Sequence, residues 1–153
     1  PEAADIVFRS GVPILMYTLD VFRQVTFTAD EVEREFLAAA NGLSASERPE
    51  VSRLVAHLLL FGMRNLGRST ATIGDAGCVA AVIDESGLDV QTYPVSVETG
   101  GRYSRGQTLV DRRTGSSVEQ TEGNAWPRVR VAVQIDADFY RRLFRDAIVG
   151  PIG

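Results

Sequence analysis

The sequence predicts an α/β fold, on three observations. Residues 13–21 are almost wholly apolar, the pattern of a strand covered on both faces rather than one facing water. Val51, Leu54, Val55, Leu58, Leu59 and Gly62 keep the i, i+3, i+4, i+7 spacing of a long helix with a buried face. Val129, Val131, Val133 and Ile135 alternate with Arg128, Arg130, Ala132 and Gln134, as in a half-buried strand, and an amphipathic helix follows directly.

From the N-terminus, Ala4, Ile6, Val7 and Phe8 form a short helix with Pro1 suited to its first turn and Gly11 suited to its end. The strand over 13–21 comes next. Thr28-Ala29-Asp30-Glu31 is a capping-box pattern, and Val32, Phe36, Leu37 and Ala40 continue at helical spacing until Asn41-Gly42. The long helix starts near Pro49-Glu50 and runs to about Leu66. Residues 67–75 read as a loop, and Ala76 to Ile83 as a tightly packed helix with Asp75 where an N-cap belongs.

Strand character returns at Leu88. Tyr93, Val95 and Val97 alternate with Pro94, Ser96 and Glu98, and Gln107 to Val110 form a shorter run after the Gly100-Gly101 turn, so the two can pair. Residues 113–126 are polar and glycine-containing, as in a surface loop. The last helix is capped by Asp136, with Tyr140, Leu143, Phe144, Ala147 and Ile148 on one face.

Composition excludes several chemistries. The chain of 153 residues suits one domain, and its 20 acidic against 16 basic residues give a net charge of −4, so no basic face for nucleic acid or anionic lipid is expected. All sixteen basic residues are arginine. Without lysine there is no Schiff-base nucleophile and no Walker-type phosphate loop. One histidine and one cysteine cannot build a zinc site of several His or Cys ligands, and the single Cys78 has no disulfide partner, which reads as cytoplasmic. No apolar run is long enough for a membrane span.

Local candidates for chemistry each have a structural explanation. The loop from Gly100 to Gly106 is glycine-rich but lies between two strands and reads as a hairpin connection. His57 shares a helix face with Arg53 and Arg64 and reads as solvated; Cys78 reads as a buried, inert thiol. The pairs Asp84-Glu85 and Asp136/Asp138 flank helices, where acids serve as end groups. Asp75, ahead of a helix of small residues, is placed to approach an ion or cofactor, although capping alone explains it.

The order of motifs resembles the C-terminal half of the nucleoside hydrolases acting on inosine, uridine and related ribonucleosides. Pro1-Glu2-Ala3-Ala4-Asp5 and the strand after it are similar to the family's Asp-Pro-Glu-Ala-Ala segment, and Leu19-Asp20-Val21 continues the match. Arg105-Gly106-Gln107-Thr108-Leu109-Val110-Asp111 resembles the family's late Arg-Gly-x-Thr-Val-Val-Asp segment, and Val129-Arg130-Val131-Ala132-Val133 its last strand.

This resemblance implies a mixed, mainly parallel sheet flanked by helices, covering residues 1–153 as a single or partial domain, and cleavage of the N-glycosidic bond of a small-molecule ribonucleoside. It also implies a calcium ion bound by an aspartate-rich N-terminal motif together with one C-terminal aspartate. Gly74-Asp75-Ala76-Gly77-Cys78 matches the family's His-Asp-Pro-Leu-Ala segment, so Asp75 is the expected metal ligand. Gly74 stands where many members carry a histidine that assists the leaving base, and the aspartate-rich motif is absent from the sequence. No catalytic residue is therefore assigned. Phe61, Arg64 and Asn65, upstream of Asp75, are candidates for the base side of the substrate pocket, with Phe61 as core and Arg64 as solvated being the structural alternatives.

The expectation is a chain inactive alone that associates with an N-terminal half or with copies of itself. The competing reading is a non-catalytic relative acting as an oligomerisation or binding module.

Overall fold

The computed structural model describes residues 1–42, 48–113 and 126–150. It divides into two units, residues 1–16 with 90–132, and residues 17–89 with 133–153. Most of the loop expected over 113–126 lies outside the described residues.

In the first unit, α1 (Glu2–Arg9) is followed by Ser10 and by Gly11 at φ +78°, a conformation glycine adopts without strain. The apolar run over 13–21 does not form one strand. Only β1 (Leu15–Met16) is extended, and it pairs in parallel with β6 (Arg128–Ile135) through Leu15 opposite Arg130 and Met16 opposite Val131. The reason lies in Thr18, whose hydroxyl accepts a hydrogen bond from the Val21 N–H and starts the short helix α2 (Leu19–Phe22) of the second unit.

β4 (Leu88–Val97) and β5 (Thr108–Val110) pair antiparallel as expected, with Val95 opposite Val110 and Val97 opposite Thr108. The four strands run in the order β1-β6-β4-β5 in a mixed sheet. The first unit buries Val95, Val97, Val129, Val131 and Ala132. The expected alternation fails at Ser96, which is buried together with its two valine neighbours, so this end of β4 is covered on both faces.

The second unit is mainly helical. β2 (Thr26–Thr28) and β3 (Thr70–Thr72) form a two-stranded antiparallel ribbon, which places a short strand within the loop expected over 67–75. At the end of β2 the expected capping box forms: the Thr28 hydroxyl accepts from the Glu31 N–H, and the Glu31 carboxylate accepts from the Thr28 N–H at 2.7 Å. The helix so started, α3 (Ala29–Val32), passes through a π-helical stretch (Glu33–Leu37) into α4 (Ala38–Ala40). Phe27 and Phe36 meet edge to face at 5.4 Å between ring centres, and Phe144 of α7 (Ala137–Val149) lies about 6 Å from both.

α5 (Pro49–Leu66) has the expected length, with Pro49 in its first turn and Gly67 left-handed at its end. Its buried side is not the expected one. Ser52, Ala56 and Met63 face inward, whereas Val51, Leu54 and Leu58 are exposed. The helix packs closely against α4, the π-helical stretch, α7 and β3. Small residues allow that approach, and the larger aliphatic side chains fall on the opposite side.

Candidate functional site

Asp75 stands at the head of α6 (Ala76–Ile83), between the β3 ribbon and the helix. Gly74, at φ +63°, makes the turn into the helix, and a β-carbon there would only touch the ring of Phe22 at 3.9 Å. The Asp75 backbone carbonyl accepts the Cys78 N–H at 3.0 Å, so the residue is part of the first turn. Its side chain does not cap that turn, which corrects the expectation that Asp75 serves as a capping group. Thr18, Thr28 and Asp136 each spend a side-chain oxygen on a helix N-terminus; Asp75 is exposed and keeps its carboxylate uncommitted to a cap.

The first turn of α6 is set from below by Tyr17. A β-carbon on Gly77 would lie 2.5 Å from the Tyr17 hydroxyl oxygen and 2.6 Å from the ring carbon bearing it, so only glycine admits the phenol here. The Tyr17 hydroxyl is buried with no hydrogen-bond partner among the described residues, and burial pushes its pKa up to about 12. Tyr140 of α7 lies 6.5 Å from Tyr17, ring centre to ring centre, and donates its hydroxyl hydrogen to the Asp84 carbonyl at 3.0 Å, fixing the far end of α6. The sequence reading missed the Tyr17–Gly77 contact. Its one visible sign is glycine within a helix, where that residue is costly unless something occupies the space of its side chain.

Cys78 is exposed rather than buried, which corrects the expectation of a packed thiol. Its pKa is raised, first by partial desolvation and then by the negative charge of Asp75, so its position in the first turn does not make it a reactive thiolate.

Phe61, Arg64 and Asn65 all lie exposed on the last two turns of α5. Phe61 is 65% exposed, so the reading of this ring as core does not hold. His57 is exposed, as expected. The glycine-rich loop is the expected hairpin connection: Glu98 accepts the N–H groups of Gly100 and Gly101 at 2.8 and 2.9 Å, so a carboxylate of the chain itself fills the position an anion would take. The acidic end groups also act structurally, Asp84 accepting from the Ser86 N–H and Asp136 from the Phe139 N–H, each at 2.9 Å.

A cavity of about 460 Å³ opens where the turn after α6 meets the head of α7, lined by Ser86, Gly87, Asp89, Gln134, Asp136 and Phe139 among others. Of the candidates for chemistry singled out in the sequence, Asp136 lines it, and its side chain is committed to capping.

Calcium takes six to eight oxygen ligands. Among the described residues no three or more Asp, Glu, His or Cys side chains converge on a point that could hold a metal ion. Asp75 offers two oxygens at most, so the described residues do not make a complete calcium site. They fit the role of one contributor to such a site.

Comparison with known proteins assigns the class of this α/β chain. Residues 1–142 match the family model of inosine-uridine preferring nucleoside hydrolases; the chain belongs to that family.

Among curated relatives, the pyrimidine-specific ribonucleoside hydrolase RihA of Shewanella sp. (strain ANA-3) is 37% identical over 117 residues, covering 73% of this chain and 34% of the relative. RihA of Citrobacter koseri is 35% identical over 116 residues, covering 72% and 34%. Among solved structures, a plant nucleoside hydrolase superposes with a TM-score of 0.78 at 25% identity, over 99% of this chain and 46% of its own. A purine-preferring ribonucleoside hydrolase from Gardnerella vaginalis has the same fold, with a TM-score of 0.73 at 24% identity, over 97% of this chain and 43% of its own. The chain thus spans about a third of the length of the curated relatives it matches, and less than half of the solved chains.

Proposed function

We propose that this chain contributes to hydrolysis of the N-glycosidic bond of ribonucleosides, yielding base and ribose, as the portion of a nucleoside hydrolase that carries one metal-binding carboxylate, Asp75. The observation that carries this reading is that Asp75 heads α6 exposed, with a carboxylate that does not cap the helix's first turn.

Bond cleavage builds an oxocarbenium-like centre as the base departs, so the site needs a positioned water and groups that hold the ribose hydroxyls. Asp75 supplies a carboxylate for a hard cation. The rest of the ligand set and the ribose-holding groups come from polypeptide outside this chain. Gly74 gives no side-chain acid at the leaving base, so departure of the base relies on other groups. Phe61 and Asn65 offer an apolar face and an amide for base recognition, and Arg64 a guanidinium.

The test is ribose release from inosine and uridine with calcium present. The 153-residue chain alone is expected to release none above background. Robust turnover by it would sink the reading of Asp75 as one contributor among several. In the assembled enzyme, Asp75→Asn is expected to abolish turnover and weaken calcium binding measured by titration calorimetry.

A second reading has one observation in its favour. Leu54, Leu58 and Phe61 form an exposed apolar row along α5, as a binding or oligomerisation module would present. It predicts association of the chain with no hydrolysis under any assembly.

A further inference from the structure

We propose that the exposed side of α5 pairs with the same helix of a second copy of this chain, antiparallel about a two-fold axis. The pairing rests on the second reading above for its apolar row, and adds the occupant, the orientation and the register. Val51, Leu54, Leu58 and Phe61 are 41%, 59%, 60% and 65% exposed. They follow one another at intervals of 3, 4 and 3 residues, the spacing of a coiled-coil seam. Ser52, Ala56 and Met63 already serve the interior from another side of the helix. A surface helix ordinarily shows charge opposite its buried side, whereas α5 shows this row.

Charge identifies the occupant. Residues 50, 57 and 64 recur every seven positions along one flank of the row, where a coiled coil places the side chains that choose its partner. Glu50 lies in the first turn of α5 and Arg64 in the last, both exposed, and neither joins an ion pair among the described residues. Their signs suit the helix dipole, but the dipole does not require them on this flank. In an antiparallel pair, the register that sets Leu54 against the partner's Leu58 also sets Val51 against the partner's Phe61, and each contact occurs twice. The same register brings Glu50 beside the partner's Arg64 and Arg64 beside the partner's Glu50, with the two copies of His57 at the centre. A parallel pair would set like charges together at both ends. The row is thus complementary to its own reverse, which is the requirement of a two-fold interface. One helix per copy makes a small interface, below about 1,200 Å² in total, so the dimer is reversible.

Sedimentation equilibrium of the 153-residue chain tests this directly, with a reversible equilibrium of monomer and dimer as the expected result. Leu58→Asp buries an unpaired carboxylate against the partner's Leu54 twice per dimer, and is expected to weaken association about tenfold or more. Its circular dichroism and its thermal unfolding as a monomer should match those of the parent, because the position is exposed. Glu50→Arg alone and Arg64→Glu alone should each weaken self-association, since each sets like charges together at both ends. An equimolar mixture of these two variants should dimerise again, because each copy then meets the opposite charge at both ends.

A chain that stays monomeric at every concentration overturns the pairing. So does association that Leu58→Asp leaves unchanged, which places the contact on another face and leaves the module reading standing. Single charge variants that associate as the parent does, or a mixture that fails to recover, overturn the antiparallel register and with it the proposal. Phe61 and Arg64 are covered in the dimer, so this use of them competes with their base-side role. Asp75 takes no part in the pair, and Asp75→Asn is expected to leave the dimer unchanged. Ribose release by the assembled enzyme, tested with Asp75→Asn as above, therefore stands or falls separately from dimerisation of the chain.

Discussion

Tyr17 lays its phenol over Gly77 so closely that a β-carbon at that position would come within 2.5 Å of the hydroxyl oxygen. Two effects compete in Gly77→Ala. Alanine is the better helix former by about 1 kcal/mol. Forcing a methyl group into an occupied site costs about 1–3 kcal/mol, because the ring must leave its rotamer or the helix must shift. The collision is with the ring carbon as well as the hydroxyl, so no flexible end can yield, and the substitution is expected to destabilise. Urea denaturation of Gly77→Ala, Tyr17→Ala and the double variant checks this: the Gly77→Ala penalty should shrink or reverse once the ring is gone.

The two phenols make stability fall at alkaline pH. Burial pushes Tyr17 and Tyr140 up to about 12, against an ordinary value near 10. The folded state therefore holds these protons more tightly, so the contribution is whole below about pH 10 and is lost as pH rises toward 12. Tyr17→Phe should weaken this loss and leave stability at pH 7 unchanged or raised, because its hydroxyl has no partner among the described residues. Tyr140→Phe should also weaken it, but should cost about 1 kcal/mol at pH 7 through the lost bond to the Asp84 carbonyl. Thermal unfolding at pH 7 and pH 11 separates the two variants.

Acid acts through Glu31. Its carboxyl is held down at about 2, first by the hydrogen bond from Arg141 at 2.6 Å and then by the Thr28 N–H. A depressed carboxyl contributes stability above its unfolded value near 4.5, and that contribution is lost as pH falls toward 2. Arg141 also donates to the Thr26 carbonyl and lies over the Phe27 ring at 4.5 Å, so it links α7 to the β2 strand and the capping box. Glu31→Gln should lower stability at pH 7 and flatten the acid limb of the stability curve between pH 4.5 and pH 2. An acid limb as steep as that of the parent chain would show that other carboxylates, such as Asp111 beside Arg113, dominate it.

What the sequence made legible was local. The Thr28/Glu31 box and the Asp136 cap lie within one turn of the groups they serve, so residue type and spacing suffice to read them. Apolarity over 13–21 could not separate strand from helix, because the deciding group was a single hydroxyl, that of Thr18. Helical spacing showed which residues of α5 share a side but not which side faces inward; that depends on how closely α4 and α7 approach, and Ser52, Ala56 and Met63 answer it only in three dimensions. The position of Asp75 was legible through the resemblance. The freedom of its carboxylate was not, since an aspartate before a helix reads as a cap unless geometry says otherwise.

That freedom gives a direct contrast between two aspartates at helix heads. Asp136 accepts the Phe139 N–H at 2.9 Å, and Asp136→Ala leaves that donor without its cap, at a cost of about 1 kcal/mol. Asp75 makes no such bond and is exposed, so Asp75→Ala is expected to change stability by less than about 0.5 kcal/mol, as for an ordinary surface substitution. Denaturant titration of the two variants side by side measures the difference at low cost. A large loss for Asp75→Ala would assign it a structural task and remove the main support for its role as a metal-binding carboxylate. A silent Asp75→Ala leaves the carboxylate without a structural task, as a ligand shared with another stretch of polypeptide requires.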